Sequence, residues 1–463
     1  MAKKANTVFV CQECGYESPK WLGQCICGAW NTMVEEKVLK VEDDKRRRTG
    51  FSSEAKGSSA GKPVPLRSVK SGDESRIDTG IKELNRVLGG GLVKGSLTLI
   101  SGEPGIGKST LILQAAAHIA AAVGPVLYVS GEESEEQIKM RADRICGTIP
   151  ENLFILSETN MENIVLQQEA IKPAFLIIDS IQTMYSEAID SAPGSVSQVR
   201  VCGNDLMRIG KSHGLPVLIV CHVTKSGELA GPKIVEHLVD TVLNFTGERS
   251  HDLRIIRSLK NRFGTTNEIG AFEMCEEGLR EVPNLSESLI DDMEKSAEGS
   301  VATAIYEGTR PLVLEIQALT SAAGAGFARR TAIGIDYNRL NMILAVLERH
   351  GGVSVSTQDV YVNVVGGIRP DGTASDLAAC LAVYSSYTRK HVPEMTIALG
   401  EIGLTGELRS VQHTDKIVKE ASRMGFKNII MPYKNAQRVQ ADSAPGVRII
   451  GVRTIREAMS YLK

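Results

Sequence analysis

GEPGIGKS, at residues 102–109, fits the phosphate-binding pattern G-x-x-x-x-G-K-[S/T]. An apolar run, Ser96–Ser101, precedes it, and a helix-length stretch, Lys108–Ala122, follows it. In that context the glycines let backbone amides turn towards a pyrophosphate, and the helix N-terminus adds positive potential. A glycine-rich turn without a ligand is the alternative, but it does not require the Lys-Ser pair. The residues expected to contact ATP are Gly102, Glu103, Pro104, Gly105, Ile106, Gly107, Lys108, Ser109 and Thr110.

Magnesium is the second ligand that this loop predicts. In the pattern, Lys108 reaches the β- and γ-phosphates of ATP, and the Ser109 hydroxyl ligates Mg²⁺. Asp179 ends the apolar run Phe175–Asp179, which is the placement of a Walker B carboxylate that holds the Mg²⁺ shell. A strand-ending aspartate is also common in turns, so this assignment depends on the phosphate loop upstream.

A second carboxylate is expected to act on the attacking water. Glu132 comes just after the run Val126–Ser130, where a carboxylate can polarise that water. The adjacent Glu133 is either a solvated turn residue or exchanges roles with Glu132. The predicted catalytic set at one site is therefore Lys108, Glu132 and Asp179.

Short apolar runs alternate with helical patterns from about Val69 to Glu281. The runs typical of strands buried on both faces of a parallel sheet are Ser96–Ser101, Val126–Ser130, Phe175–Asp179 and Val217–Cys221. The helix-length stretches between them are Lys108–Ala122, Ser134–Ile145 and Ser195–His213. This alternation predicts an α/β, doubly wound domain with a mostly parallel central sheet. The strands expected to extend the sheet are Thr241–Phe245, Leu253–Leu259 and Glu268–Met274.

Four segments are expected along the chain. They are a Cys- and Trp-rich segment (1–35), a polar linker (36–66), the α/β ATPase domain (67–284) and a mixed α+β domain (285–463). The linker cannot bury much apolar area, which predicts flexibility, and its basic run at residues 45–48 is either solvated charge or a DNA contact. The elements expected in the last segment are strands Leu312–Ala318, Val360–Val365 and Met395–Ala398 and helices Tyr337–His350 and Ser375–Ser386.

Composition restricts the possible classes of function. A net charge of −2 over 463 residues does not itself indicate a nucleic-acid partner. The chain begins MAKKANTVFV, without the apolar core of a signal peptide, and its longest apolar stretch is too short to span a bilayer. We therefore expect a soluble, cytoplasmic protein with no membrane partner.

The cysteines are concentrated near the N-terminus. Cys11, Cys14, Cys25 and Cys27 form two close pairs, and zinc favours four thiolates in a tetrahedron. The second pair has a spacer of one residue where two are usual, which shortens the distance between its two thiols. The pattern predicts a zinc knuckle that docks DNA or a protein, and a reduced surface cluster is the alternative. The other five of the nine cysteines are scattered, as expected for reduced core residues.

Two segments resemble known ATPase families. Thr79-Gly80, Glu83-Leu84-Asn85 and Gly89-Gly90-Gly91 are similar to the opening of RecA-family ATPase domains. SGEESEEQI, at residues 130–138, resembles the corresponding segment of the replicative helicase DnaB, which implies that Glu132 rather than Glu133 is the catalytic glutamate. The resemblance also implies that His222 occupies the place of the polar sensor and that Lys225 lies in the loop after it.

KNRFG, at residues 260–264, is the most specific motif. It resembles the signature of the bacterial RadA family and the Lys-x-Arg-x-Gly of DnaB-type helicases. In those rings the lysine and arginine reach the nucleotide of the neighbouring subunit, which implies that Lys260 and Arg262 act in trans in a homo-hexamer. Their place between strands Leu253–Leu259 and Glu268–Met274 predicts a short turn that presents two cations.

The RadA resemblance covers essentially the whole chain, including the cysteines and the C-terminal segment. It implies a DNA-dependent ATPase that works as a motor on recombination intermediates, promoting branch migration in homologous recombination and DNA repair. The implied partners are single-stranded and branched DNA and a recombinase filament or other recombination proteins. The candidate DNA-contacting residues, for which solvated charge is the alternative, are Arg200, Arg208, Lys225 and Lys233.

The last segment resembles the proteolytic domain of Lon. DGTASD, at residues 371–376, is similar to Lon's D-G-P-S-A-G, and this register puts Ala374 at the serine position and Asp415 at the lysine position. Ser375 and Lys416 each lie one residue after those positions. A shift of one residue along a helix rotates the direction of a side chain by roughly 100°, which would keep a serine and a lysine from meeting. We expect an inactive scaffold that assembles or binds DNA. The alternatives for the whole chain are an ATP-dependent Lon-like protease and an oligomeric signalling ATPase of the KaiC kind.

Overall fold

The computed structural model describes residues 6–11, 13, 15–38, 65–68, 76–222, 234–247, 252–266, 268–290, 293, 297–324, 328–370, 372–439 and 446–463. Contacts divide the chain into two units. The first unit comprises residues 1–246 and 254–281, and the second comprises residues 247–253 and 282–463. Residues 39–64 of the expected linker lie outside the described residues.

The N-terminal segment forms a small antiparallel sheet, which we call the ribbon (residues 6–38). Its strands are β1 (Asn6–Cys11), β2 (Glu17–Ser18) and β3 (Met33–Val38), in the order β2-β1-β3. The side chains of Cys11, Cys25 and Met33 are buried together, with Phe9 and Leu22 packed against them. The expected knuckle is thus a three-stranded ribbon whose small core is built around its cysteines.

A nine-stranded sheet forms the centre of the first unit. The strands that follow the ribbon are β4 (Arg76–Ile77), β5 (Leu92–Val93), β6 (Leu97–Gly102), β7 (Val126–Ser130), β8 (Leu153–Ser157), β9 (Phe175–Asp179), β10 (Val217–His222), β11 (Thr241–Thr246), β12 (Leu253–Asn261), β13 (Ile269–Cys275) and β14 (Gly278–Glu281). The helices are α1 (Lys82–Leu88), α2 (Lys108–Ala122), α3 (Glu135–Ile145), α4 (Met161–Ile171), α5 (Val196–His213) and α6 (Ile234–Leu238).

The order of strands in this sheet is β14-β13-β12-β11-β6-β10-β9-β7-β8, and β4 and β5 form a separate two-stranded antiparallel sheet. Neighbours from β11 to β8 pair in parallel, whereas β12 is antiparallel to β11 and β14 is antiparallel to β13. Successive side chains of a strand point to opposite faces, so a strand covered on both faces is apolar throughout. Ile100 and Tyr128 accordingly pack with α2 and α3, while Leu99 and Leu127 pack with α4 and α5. This mostly parallel, doubly covered sheet confirms the predicted α/β class.

The second unit contains a seven-stranded sheet, in the order β17-β18-β16-β15-β19-β22-β23, and a two-stranded sheet of β20 and β21. Its elements are α7 (Leu285–Ile290), β15 (Ser300–Glu307), β16 (Arg310–Ala322), β17 (Arg330–Ile333), α8 (Tyr337–Gly351), β18 (Gln358–Val364), α9 (Asp376–Thr388), β19 (Thr396–Ala398), β20 (Glu401–Ile402), β21 (Leu408–Arg409), α10 (Thr414–Arg423), β22 (Asn428–Pro432), α11 (Tyr433–Ala436), β23 (Arg448–Val452) and α12 (Ile455–Met459). This mixture agrees with the α+β expectation.

One expected element is wrong in its detail. The sequence predicted that Lys260 lies in a turn after a strand ending at Leu259, but β12 continues to Asn261. Lys260 and Asn261 pair with Val242 and Thr241 of β11, so only Arg262 and the residues after it leave the sheet. Among the residues that the structure describes, we find no helix whose length and apolar content would let it span a bilayer.

Candidate nucleotide-binding site

The phosphate loop lies where the parallel strands end. It connects β6 to α2, and the carboxyl ends of β7, β9 and β10 lie along the same edge of the sheet. Gly107 is the N-cap of α2, with a φ of 111° that favours glycine, and no side chain caps this helix. The first amides of α2 are therefore available to phosphate oxygens. By contrast, Ser134, Asn160 and Ser195 cap α3, α4 and α5.

The side chain of Lys108 is hydrogen-bonded to the backbone of the phosphate loop. Its side chain is buried, and Nζ donates to the carbonyls of Gly102 at 2.8 Å and of Glu103 at 2.9 Å. Burial lowers the pKa of Lys108 to about 8, although the nearby carboxylate of Asp179 opposes this shift. The ammonium is thus fixed in place before any phosphate arrives.

Asp179 has the environment expected of a Walker B carboxylate. It ends β9 with 6% of its surface exposed, and its Oδ2 accepts a hydrogen bond of 2.5 Å from the Tyr128 hydroxyl. Asp179 and Ser109 line the same cleft. A carboxylate and a hydroxyl are hard oxygen ligands, which suit Mg²⁺ when phosphate oxygens and water fill its other positions. The residues present therefore fit a magnesium ion.

The carboxylates of Glu132 and Glu133 have different polar partners. Ser180 Oγ donates to Glu132 Oε1 at 2.5 Å, and His222 Nε2 lies 3.3 Å from the same oxygen. His222, and after it Ser180, lower the pKa of Glu132 to about 2 against the effect of burial, which keeps the carboxylate ionised. Glu133 instead forms an ion pair with Arg141.

A cleft of about 350 Å³ joins these groups. Its walls are formed by Pro104, Gly105, Gly107, Lys108, Ser109, Thr110, Ser130, Glu132, Glu133, Arg141, Asp179, His222 and Met274. Of the residues expected to contact ATP, Ile106 points into the apolar core, so only its backbone faces the loop. Tyr128, Ser180 and Arg141 carry no local sequence signal, because their roles depend on which strands are neighbours.

Lys260 and Arg262 lie at the opposite edge of the sheet. Asn261 pairs with Thr241, which pairs with Thr98 near the start of β6, whereas Gly102 at the far end of β6 pairs with Phe245. The pentapeptide, KNRFG at residues 260–264, is therefore separated from the phosphate loop by about 13 Å along the strands and about 10 Å across them. Lys260 Nζ donates to the Glu236 carbonyl at 2.6 Å.

The pentapeptide packs against the glycine-rich segment before β5. Arg76 donates to the Phe263 carbonyl at 2.7 Å, and Asn261 Nδ2 donates to the Leu88 carbonyl at 3.2 Å. A Cβ at Gly89, where φ is 82°, would lie 3.1 Å from the Cα of Gly264, so the two backbones are in close contact. Two motifs far apart in the sequence thus pack against each other, remote from the phosphate loop.

Two of the four candidate DNA-contacting residues lie in the part of the chain that the structure describes. Arg200 and Arg208 lie on α5, where Arg200 pairs with Glu17 of the ribbon at 3.0 Å and Arg208 pairs with Asp205 at 2.9 Å. Both ion pairs are exposed, and exposed pairs contribute little free energy. Lys225 and Lys233 lie outside the described residues.

Three of the four candidate zinc ligands lie together. The sulfur atoms of Cys11, Cys25 and Cys27 are all within 4.8 Å of one another, and Cys11 Sγ is 3.9 Å from Cys27 Sγ. A Zn–S bond of about 2.3 Å in a tetrahedron separates two sulfurs by roughly 3.8 Å. The described thiols therefore fit a zinc ion, and Cys14 lies outside the described residues.

The two halves of a serine–lysine dyad are not joined. Ser375 is buried before α9, and Lys416 on α10 donates through Nζ to the Tyr306 hydroxyl at 2.5 Å. In the described part of the second unit, Ser375 and Lys416 make no hydrogen bond with each other.

Three family models match parts of the chain. Residues 9–35 match the rubredoxin metal-binding domain, residues 62–228 match the AAA domain, and residues 330–435 match subunit ChlI of Mg-chelatase. The first two matches cover the ribbon and most of the nucleotide site.

Full-length relatives decide the family. The chain is 49% identical to DNA repair protein RadA of Bacillus subtilis over 98% of both chains, and 49% identical to that of Halalkalibacterium halodurans over 99% of both. The chain belongs to the RadA family of DNA repair proteins. RadA of Listeria monocytogenes is 47% identical over 99% of both chains. The RecA-like P-loop core, the N-terminal zinc ribbon and the Lon-like α+β domain are thus the architecture of a RadA-family chain.

Two solved structures are similar to less than half of the chain. A KaiC-like protein from Pyrococcus horikoshii is 20% identical with a TM-score of 0.38, and covers 45% of this chain and 99% of its own. A RadB recombinase is 22% identical with a TM-score of 0.37, and covers 44% of this chain and 99% of its own.

Proposed function

We propose that this RadA-family chain is a DNA-dependent ATPase that acts as a motor on recombination intermediates and promotes branch migration in the cytoplasm. The observation that carries the ATPase assignment is the convergence of Lys108, Asp179 and Glu132 on one cleft beside the uncapped N-terminus of α2. DNA as the substrate follows from membership of the RadA DNA repair family. Single-stranded and branched DNA and a recombinase filament are the proposed partners.

The residues of one chain would do most of the hydrolysis. Lys108 and the first amides of α2 would hold the β- and γ-phosphates. Ser109 and Asp179 would hold Mg²⁺, which supplies charge neutralisation between the phosphates. Glu132 would orient and polarise the attacking water, because its carboxylate stays ionised and, among the described residues, its Oε2 has no hydrogen-bond donor.

A second chain would complete the site. Lys260 and Arg262 lie too far from the phosphate loop of their own chain to touch its nucleotide, which favours action on a neighbour. Each subunit of a homo-hexamer would then present a nucleotide at one edge and a pair of cations at the other. Movement of DNA-facing groups, among which we include Arg200, Arg208, Lys225 and Lys233, would follow hydrolysis at these interfaces.

Turnover measured with and without DNA tests this function. We expect single-stranded DNA to raise the rate of ATP hydrolysis by the full-length protein, and light scattering to give the mass of a hexamer. We also expect ATP-dependent extension of a preformed three-strand junction. Turnover that is unchanged by single-stranded and branched DNA alike would contradict the proposal.

The second unit would serve as a scaffold rather than a peptidase. In the register of the Lon resemblance Ala374 and Asp415 take the dyad positions, and Ser375 and Lys416 are not joined. An unfolded protein substrate should therefore survive incubation with ATP and DNA. Cleavage that is abolished by Ser375→Ala would instead show that this register is wrong and that the chain is an ATP-dependent protease.

A further inference from the structure

A buried carboxylate, Asp240, lies beside Arg262, which we call the arginine finger because its guanidinium would reach the nucleotide of a neighbouring subunit. Its side chain is 4% exposed and accepts hydrogen bonds from the Leu97 amide at 3.1 Å, Lys211 Nζ at 2.9 Å and Arg262 Nη1 at 3.0 Å. The Arg262 amide also donates to the Asp240 carbonyl at 3.1 Å. A buried charge without partners would be strongly unfavourable, and these donors offset that cost.

The two oxygens of Asp240 have separate partners. Oδ2 accepts from the Leu97 amide and from Lys211, whereas Oδ1 accepts from Arg262. The Asp240 amide also donates to the Leu97 carbonyl at 2.9 Å, which fixes this residue to the start of β6. Because β6 is buried along its whole length, Oδ1 is a fixed point of the sheet rather than a mobile surface group.

Among the described residues, the Arg262 guanidinium bonds to Asp240 through Nη1 alone. Its side chain is 57% exposed, and among the described residues its Nη2 and Nε have no acceptor. A guanidinium is planar and carries five N–H donors, so holding one nitrogen orients the others. Lys260 lies two residues earlier and is held separately, by the Glu236 carbonyl.

We propose that Asp240 is a positioning residue that aims the free edge of Arg262 at the phosphates of a nucleotide bound by the neighbouring subunit. The proposal rests on the proposed function, since it requires Arg262 to act in trans. Asp240 itself touches no substrate, and it acts by limiting the orientations that an exposed arginine can adopt. A displacement of about 1 Å at a reacting group can lower a rate by about 10²-fold.

The variant Asp240→Asn removes the charge and keeps an oxygen for the Leu97 amide. In the full-length protein with Mg²⁺, ATP and single-stranded DNA, we expect kcat to fall by about tenfold or more. The KM for ATP should change by less than about threefold, because the phosphate loop of the other subunit binds the nucleotide. Lys211→Met is the matched control, since it removes the other cation from the same carboxylate, and its kcat should stay within about twofold of wild type.

The double variant Asp240→Asn/Arg262→Ala separates positioning from a structural role. If Asp240 acts through Arg262, the double variant should turn over no more slowly than Arg262→Ala alone. Two outcomes would overturn the positioning role of Asp240 without contradicting the role of Arg262. One is that Asp240→Asn lowers kcat by the same factor with and without Arg262→Ala. The other is that Asp240→Asn keeps a kcat within twofold of wild type while Arg262→Ala is inactive. An active Arg262→Ala would instead contradict the finger, and this proposal with it. If Asp240→Asn does not fold, Asp240→Glu is used, with a smaller loss expected that again disappears in the Arg262→Ala background.

Discussion

Glu132 and Glu133 are adjacent in the sequence but are committed to different partners. Glu132 faces Ser180 and His222 across the cleft, whereas Glu133 is neutralised by Arg141. We expect Glu132→Gln to lower turnover by about 10²-fold or more while ATP still binds, because the amide cannot polarise water as a carboxylate does. Turnover and nucleotide affinity would be measured together, with Glu133→Gln as the matched control. A large loss in Glu133→Gln with an active Glu132→Gln would show that the two glutamates exchange roles.

Lys108 makes nucleotide affinity depend on pH. Burial lowers the pKa of the free ammonium to about 8, and bound phosphates favour its charged form and so raise that pKa. The affinity for nucleotide is therefore highest below pH 8 and falls as the pH rises above 8, by up to about tenfold per pH unit. In that higher range the protein takes up one proton when the nucleotide binds. Titration calorimetry between pH 7 and 9.5 in buffers of different ionisation enthalpy measures both quantities. Lys108→Arg keeps its charge and should show no such fall, and an equally flat response in wild type would contradict the argument.

The ribbon is the element whose stability should depend on a metal. Three described thiols have the spacing of a tetrahedral site, and the segment's small core is built around them. Metal analysis should find about one zinc per chain. Chelation should change the fluorescence of Trp21 and Trp30, which are exposed in this element and are the two tryptophans of the chain.

Cysteine variants provide the control for the zinc site. Cys25→Ser should lower the zinc content, whereas Cys146→Ser, on a helix end remote in sequence from the ribbon, should not. ATP binding should survive the loss of zinc, because none of the residues lining the nucleotide cleft belongs to the ribbon. Zinc-free protein with unchanged tryptophan fluorescence and four freely titrating thiols would rule out a structural metal.

Strands that are continuous apolar runs were predictable, and strands that carry small or polar residues were not. The continuous apolar runs of β7 and β9 match the predicted strands residue for residue, since neither face meets water. In the second unit, β15 was not foreseen, because its sequence SVATAIYE mixes small and polar residues although almost all are buried. Lys260 was assigned to a turn between two predicted strands, yet it pairs with Val242 of β11.

The candidate site was predictable only where its residues are close in sequence. The phosphate loop, Asp179 and Glu132 each follow a recognisable apolar run. Tyr128, Ser180 and Asp240 have no local signal, because each matters only through a strand or loop distant in sequence. The separation between the phosphate loop and the pentapeptide likewise follows from sheet order, which one sequence does not reveal.

We propose that each nucleotide site is completed by a second chain. The chain carries a nucleotide cleft at one edge of its central sheet and Arg262 at the opposite edge. A finger that neutralises charge in the transition state contributes about 10³-fold or more to turnover and little to nucleotide binding. Pure Arg262→Ala should therefore bind ATP without hydrolysing it, whereas pure Lys108→Ala should lose nucleotide affinity itself.

Mixing the two inactive variants distinguishes action of Arg262 in trans from action in cis. Arg262→Ala subunits keep an intact phosphate loop, and Lys108→Ala subunits keep an intact finger. In mixed oligomers, verified by mass, some interfaces combine the two intact halves. We expect DNA-stimulated ATP hydrolysis to reappear in the mixture although neither pure variant shows it. Mixed oligomers as inactive as their parents, or pure Arg262→Ala with turnover close to wild type, would contradict the action of Arg262 on a neighbouring nucleotide.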